Sequence, residues 1–393
     1  MKKEIDINEE SMREYKWRRA RRRQNRIKLV MVMLCTLVVL VVIMYCGTAL
    51  YLKVTEERAE DGAVEVLGGT VVYTQEELDL QVARAVSEAE ARALEAESLA
   101  GSRIEEAVRN AEEQAQENVL NTIRTGLSDG QTMLETLRPL FPEELLVASS
   151  GQYYFVPINR ELKQSQLVQE NVNLLESGEI QYMSGDQVIS HKGIDVSRHQ
   201  GNIDWAKVAQ DGVEFAFIRV AYRGYGTGKM EEDSYFDQNV QGAQAAGIKT
   251  GVYIYSQAIT EEEVLEEANL VLQKVAPYQL ECPIVFDVEL VSGANGRMNN
   301  LTPEERTNLA LLFCQTIEAA GYKPMIYHNT EMGALKIDVS ALEDYDKWFA
   351  SYSETLYYPY EYKVWQYTPH GKVAGISSEV DLNICIDPIW EEQ

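Results

Sequence analysis

Leu29 to Leu52 is a run of 24 residues without one charged side chain, LVMVMLCTLVVLVVIMYCGTALYL. A helix needs about 20 apolar residues to cross the hydrocarbon core of a bilayer. The run is therefore expected to be a single transmembrane helix. A cleaved signal peptide has a shorter apolar stretch and a small-residue cleavage site, and Gly47 to Ala49 make a poor one. Charge orients the span. Residues 1–28 hold 11 Lys/Arg and 5 Asp/Glu, net +6, so the remainder carries -32 of an overall -26. Positive flanks stay in the cytoplasm. The expectation is a single-pass membrane protein, with lipid around residues 29–52 and everything from about residue 55 outside. The acidic remainder argues against a nucleic-acid partner, which needs a basic surface.

Residues 53–138 are expected to form a helical stalk. Residues 75–137 are rich in Ala, Glu, Leu and Arg and lack Pro. Ile104, Val108, Ala111, Ala115, Val119 and Ile123 recur at spacings of three and four, the period of an amphipathic helix. Leu78, Val82, Ala85, Ala89, Ala96 and Leu99 make a weaker stripe, interrupted by Arg92 and Gly101. The small apolar residues allow a helical hairpin or a coiled coil, the latter with self-association through the stalk, but the seam is too thin to name an oligomer. Pro139 and Pro142 end the region. Residues 139–190 read as a linker or small satellite, with a weak strand at Tyr153–Ile158 and a short helix over Gln164–Glu176.

Residues 191–393 change character. Eight β-rich runs begin near Gly193, Phe215, Thr250, Ile284, Pro324, Lys347, Lys363 and Val380. Helical patterns separate the early ones: Trp205–Asp211, Tyr235–Ala246, Glu261–Val275, Pro303–Ala320 and a short one near Ala341–Tyr345. Thr260 and Thr302 are placed to cap two of them, with Glu263 and Glu305 three residues on. This alternation predicts an α/β fold, a modified (β/α)8-like barrel with fewer helices than strands. The competing open doubly wound sheet would want a phosphate loop, and Gly224, Gly226 and Gly228 lack GxGxxG spacing.

Catalytic groups in such barrels sit at the C-terminal ends of strands. The strand-end carboxylates are Asp195 in GIDVS, Asp287 and Glu289 in IVFDVEL, and Asp381 in VDLN. Asp287 and Glu289 are i and i+2 on one strand, so they share a face. Ile284, Val285, Phe286 and Val288 surround them. Repulsion and burial both raise a carboxyl pKa, which yields the protonated acid that glycoside hydrolysis needs beside a second carboxylate. First and last strands adjoin in a closed barrel, so Asp195 and Asp381 should meet. Aromatics concentrate in the same region, with 15 of 22 Tyr and four of five Trp. Tyr222, Tyr255, Tyr327, Tyr352 and Trp365 lie near strand ends, where sugars could stack.

Together, GIDVSRHQGNIDW (193–205), FAFIRVAYRGYGTG (215–228), PIVFDVE (283–289), GYKPMIYHN (321–329), KWFASY (347–352) and VDLN (380–383) resemble glycoside hydrolase family 25, the muramidases. The resemblance covers about residues 191–388. It implies a β/α barrel that cleaves the β-1,4 bond between N-acetylmuramic acid and N-acetylglucosamine in peptidoglycan. It implies Glu289 as general acid/base, Asp287 as its electrostatic partner, and Asp195 and Asp381 as completing an acidic groove. Tyr255, Gln200, Arg219, Tyr327 and Trp365 become candidate substrate contacts. Many members carry a Tyr-His pair in the third strand, where this chain has Tyr253-Ile254-Tyr255. The alternative is a non-catalytic wall-binding or scaffold module on a membrane tether, against which the intact Asp287 and Glu289 speak. No cofactor is implied. His191, His199, His328 and His370 lack metal-ligand spacing. Cys282, Cys314 and Cys385 could make one disulfide at most.

Overall fold

The structure, a computed structural model, describes residues 74–291 and 296–390. The expected cytoplasmic tail and the apolar run, residues 1–28 and 29–52, lie outside the described residues. Among those described, no helix is long and apolar enough to cross a membrane. The chain divides into two units, Met1–Asn110 and Ala111–Gln393.

Gln75–Ser128 is one continuous helix of 54 residues. Good helix formers and i,i+4 pairs such as Arg84–Glu88 at 3.2 Å sustain it. Neither Arg92 nor Gly101 breaks it, since an exposed glycine costs only about 1 kcal/mol in a helix. Its apolar stripe is exposed at Ile104, Val108 and Val119. After a break at residues 129–132, Met133–Leu137 forms a short helix with a full capping box from Thr132 and Glu135.

Residues 139–190 fold against the barrel as a satellite. Glu144–Ser149 and Gln152–Pro157 form a hairpin. Its two turn residues, Ser150 and Gly151, both have positive φ (51° and 77°), as the tight hairpin turn demands. The helix expected over Gln164–Glu176 is absent. That segment holds one 3-10 turn, Gln169–Asn171, and the strand Val172–Leu174, which pairs with Ile180–Ser184. Tertiary contacts outweigh local preference here: Gln164 bridges to Tyr360 and the Tyr182 hydroxyl accepts the Val168 N–H.

The barrel strands are β1 (His191–Val196), β2 (Phe215–Arg223), β3 (Lys249–Ser256), β4 (Ile284–Val288), β5 (Pro324–Asn329), β6 (Asp346–Ala350), β7 (Val364–Gly371) and β8 (Val380–Cys385). Their order is β1-β8-β7-β6-β5-β4-β3-β2, and β1 pairs with β2 to close the ring. All eight fall where the sequence places strands. β8 runs antiparallel to both neighbours, since the short β7–β8 connection contains no crossover helix. Helices α1 (Trp205–Gln210), α2 (Phe236–Ala245), α3 (Glu261–Val275) and α4 (Pro303–Ala319) follow the first four strands. The short helix expected near Ala341–Tyr345 is a run of turns, and a π-helical turn over Met332–Lys336 fills the β5–β6 connection instead. Thr302 and Glu305 form the expected capping box. Thr260 also caps its helix, but Glu263 turns to the Ile259 N–H (2.9 Å) and to Arg297 (2.7 Å).

Side-chain alternation sorts each strand. In β4, Ile284, Phe286 and Val288 face the helix layer, where Phe286 stacks on Phe313 at 4.5 Å. Val285 faces the barrel interior with Phe215, Phe217, Met325, Trp348 and Val364. Gly251 leaves room for this plug: a Cβ there would come within 2.7 Å of the Phe217 ring. Cys282, Cys314 and Cys385 are buried free thiols.

Candidate active site

The interior positions above the plug carry the chemistry. Asp287 follows Val285 on the inward face of β4, and Glu289 follows Asp287 just past the strand's end. Asp195 on β1 and Asp381 on β8 sit directly opposite each other in the pairing register. All four carboxyls line one cleft of about 660 Å³, with Arg198, Arg219, Tyr222, Tyr225, Tyr253, Tyr255, Tyr327, Trp348, Tyr352 and Gln366 among its walls.

Asp195 is fixed by a chain of donors. Gln366 Nε2 and Asn383 Nδ2 each donate to its Oδ2 at 2.9 Å. The hydroxyls of Tyr327 and Tyr352 donate to Gln366 Oε1 at 2.9 and 3.0 Å. The Trp348 indole donates to Asn383 Oδ1 at 2.7 Å. The aromatic floor thus sets the rotamers of the amides, and the amides orient Asp195.

Asp287 is buried and its Oδ1 has no protein hydrogen-bond partner. Burial, then the charges of Glu289 and Asp195, push its carboxyl well above the usual range. Burial, then Asp195, pushes Glu289 up to about 7. Burial, then Asp195, lifts Asp381 to about 8. Burial raises Asp195 to about 6 against the pull of its Asn383 and Gln366 hydrogen bonds. The four carboxyls therefore share fewer than four charges at neutral pH, as closely packed acids must.

Two expected contacts are corrected. Trp365 does not reach the cleft. It is inverted relative to Gln366 on β7, packs near Tyr367 in the outer core and donates its indole N–H to the Ser351 carbonyl at 2.9 Å. Gln200 does not line the cleft either. Its Oε1 accepts the Ser197 N–H at 2.9 Å and its Nε2 donates to the Glu379 carbonyl at 3.3 Å, tying the β1 end to the β8 entry. Tyr255, Arg219 and Tyr327 do line the cleft. Arg219 is committed to Asp233 at 2.9 Å. Tyr253, Trp348 and Gln366 were not singled out. Strand parity identifies them: Ala350 pairs with Gln366 and Trp348 with Val364, so Gln366, not Trp365, shares the inward face.

The sequence profile of glycosyl hydrolases family 25 matches residues 194–376. The "Uncharacterized protein YegX" of Escherichia coli (strain K12) is 30% identical over 210 residues, which cover 51% of this chain and 71% of that one. The chain belongs to glycosyl hydrolases family 25. Another relative, the "Autolytic lysozyme" of Clostridium acetobutylicum (strain ATCC 824), is 26% identical over 193 residues, 49% of this chain and 55% of that one. Among solved structures, a family 25 glycosyl hydrolase from Bacillus anthracis is 27% identical, with a TM-score of 0.43 over 53% of this chain and 92% of that one. The modular autolysin LytC from Streptococcus pneumoniae is 22% identical, with a TM-score of 0.46 over 61% of this chain and 57% of that one. The chain thus spans little more than half the length of LytC and of the autolytic lysozyme. In family 25 terms, the matched segment starts in β1 with Ile194, ends at Ile376 and includes Asp195, Asp287 and Glu289.

Proposed function

We propose that the chain is a peptidoglycan hydrolase that cleaves the β-1,4 bond between N-acetylmuramic acid and N-acetylglucosamine. The observation that carries this reading is the carboxyl pair at the barrel mouth, Asp287 buried and Glu289 half-buried, with the proton of Glu289 held to about pH 7, in a chain of family 25. Glu289 protonates the leaving oxygen and later takes a proton from water, as general acid and base. Asp287 supports the positive centre. Its unpaired Oδ1 is free to orient a neighbouring group of the substrate, such as an acetamido nitrogen, and a covalent role is the other form of the same chemistry. Burial, aided by the charge of Asp195, keeps the proton on Glu289, and Asp195 and Asp381 complete the acidic groove. Tyr255 and Tyr327 contact sugar, while Arg219 stays paired with Asp233. The name of the Clostridium acetobutylicum relative supports the same reaction class.

The remaining chain delivers this barrel to its substrate. Residues 1–28 form a cytoplasmic tail, 29–52 a bilayer span, 53–138 a stalk and 139–190 a satellite on a catalytic region 191–393. The length and one-sided basic flank of the apolar run support the anchor. The exposed stripe of the long helix supports self-association along it, which sedimentation of residues 55–190 would report as a monomer or an oligomer.

Incubating the full chain with peptidoglycan and counting reducing ends tests the reaction. Wild type is expected to release them and Glu289→Gln is not. Absence of release by wild type overturns the reading, and equal release by the variant overturns the role of Glu289. The product anomer is expected to retain its configuration, and inversion would contradict both forms of the mechanism.

A further inference from the structure

Besides the four carboxyls, three arginines line the cleft, Arg198, Arg219 and Arg223. Two of them are spent. Arg223 is buried and tied to Glu266 and Glu267, each at 2.7 Å. Arg219 is neutralised by Asp233 at 2.8 Å. Arg198 is different. It is exposed, and its guanidinium forms no ion pair among the described residues within 4.0 Å.

Arg198 is nevertheless held in place. Its backbone N–H donates to Asp233 Oδ2 at 3.0 Å. Its Nη1 donates to the Tyr222 hydroxyl at 2.8 Å, and its guanidinium carbon lies 4.7 Å from the centre of the Tyr222 ring. Tyr222 in turn donates to Glu231 Oε2 at 2.5 Å. One of five guanidinium donors is used, and the others remain for a ligand. Neighbouring His199 adds no second cation, because burial and the charges of Arg219 and Arg198 hold its imidazole below the ordinary value.

We propose that Arg198 is a specificity residue that binds a free carboxylate carried by the glycan's muramyl unit. The proposal rests on the peptidoglycan reading above. A protein of charge -26 repels anionic strands, and the four cleft carboxyls repel a substituent carboxylate further. A guanidinium preset on Tyr222 in the same cleft offsets this, pairs with the carboxylate through two parallel N–H donors, and pays little ordering entropy on binding. The carboxylate has two possible sources: the lactyl ether of a peptide-free muramyl unit, or the acidic groups of a stem peptide.

Soluble tetrasaccharide fragments of peptidoglycan separate these sources by titration calorimetry. The full chain is used, in a Glu289→Gln background that prevents turnover. Three fragments are compared: peptide-free, peptide-bearing, and peptide-bearing with every carboxyl amidated. Arg198→Ala is expected to weaken binding of a carboxylated fragment roughly 10- to 100-fold. The fragment that suffers the loss names the source. Arg198→Lys is expected to recover only part, having no planar fork. For the amidated fragment, the Arg198→Ala and parent chains are expected to agree within about twofold. Equal loss on the amidated fragment overturns the proposal, because Arg198 would then act only by supporting Tyr222. Unchanged binding of all three overturns it as well. Carboxylate-dependent binding through Arg198, by a wild-type chain that releases no reducing ends, would support this inference while overturning the hydrolase reading.

Discussion

The two ends of the barrel interior are built from the same strands and do opposite work. On β4, Val285 joins the apolar plug with Phe217, Met325 and Trp348, while Asp287, two residues further on, belongs to the acidic cleft. Alternation decides which side chains point inward. Height along the strand then decides whether an inward residue packs or reacts. The lower end stabilises the fold by burial. The upper end stores a cost, because Asp195 and Asp287 are buried, Glu289 and Asp381 are half-buried, and all four are held back from full ionisation.

The sharpest break of this contrast is at Glu289. Glu289→Gln is expected to lower kcat by on the order of 10²–10⁴-fold. It should also stabilise the fold at pH 8, by about 1–3 kcal/mol. Glu289 titrates near 7 in the folded chain against an ordinary 4.5, so its contribution to stability is full below the lower value and lost as pH rises through the upper one. The stabilising effect should therefore vanish at pH 4, which thermal melts at the two pH values would check. At the other end, Phe217→Ala is expected to cost about 3–5 kcal/mol, read by denaturant unfolding. If that variant kept full stability, the plug would not be a packed core.

Two tryptophans sharpen the comparison. Trp348→Phe removes the donor that orients Asn383 and so loosens Asp195. It is expected to lower kcat several-fold at a stability cost of about 1 kcal/mol. Trp365→Phe, in the outer core, should cost similar stability and leave kcat within about twofold. Steady-state kinetics on both would expose any error in strand parity. The smallest expected effect is in the pH profile: kcat/KM should decline above about pH 7, as the Glu289 proton is lost.

The barrel was legible because its strands are short, β-rich and punctuated by glycines at helix ends, such as Gly247 and Gly321, both at positive φ. Asp287 and Glu289 were legible because the two carboxylates at i and i+2 sit in an apolar run and are joined by two further strand-end aspartates, Asp195 and Asp381; alone, the pair would read as a solvated strand face. Trp365 misled because nearness to a strand end does not give facing. Only the β6–β7 register reveals that Gln366 holds the inward position. Gln200 misled because its polar side chain serves a local turn instead of a ligand. In the satellite, the strand expected at Tyr153–Ile158 is present as Gln152–Pro157, but residues 164–176 were opaque, because their 3-10 turn and the short strand Val172–Leu174 are set by contacts with Tyr360 and Tyr182, which no local pattern encodes.

The central claim is that the barrel mouth keeps a proton on Glu289 near neutrality. Carbon-13 NMR titration of the labelled Glu carboxyls, with Glu289→Gln to assign the signal, measures it directly. The account predicts a midpoint near 7, against the ordinary 4.5 of a solvated glutamate. A midpoint at the ordinary value would contradict it.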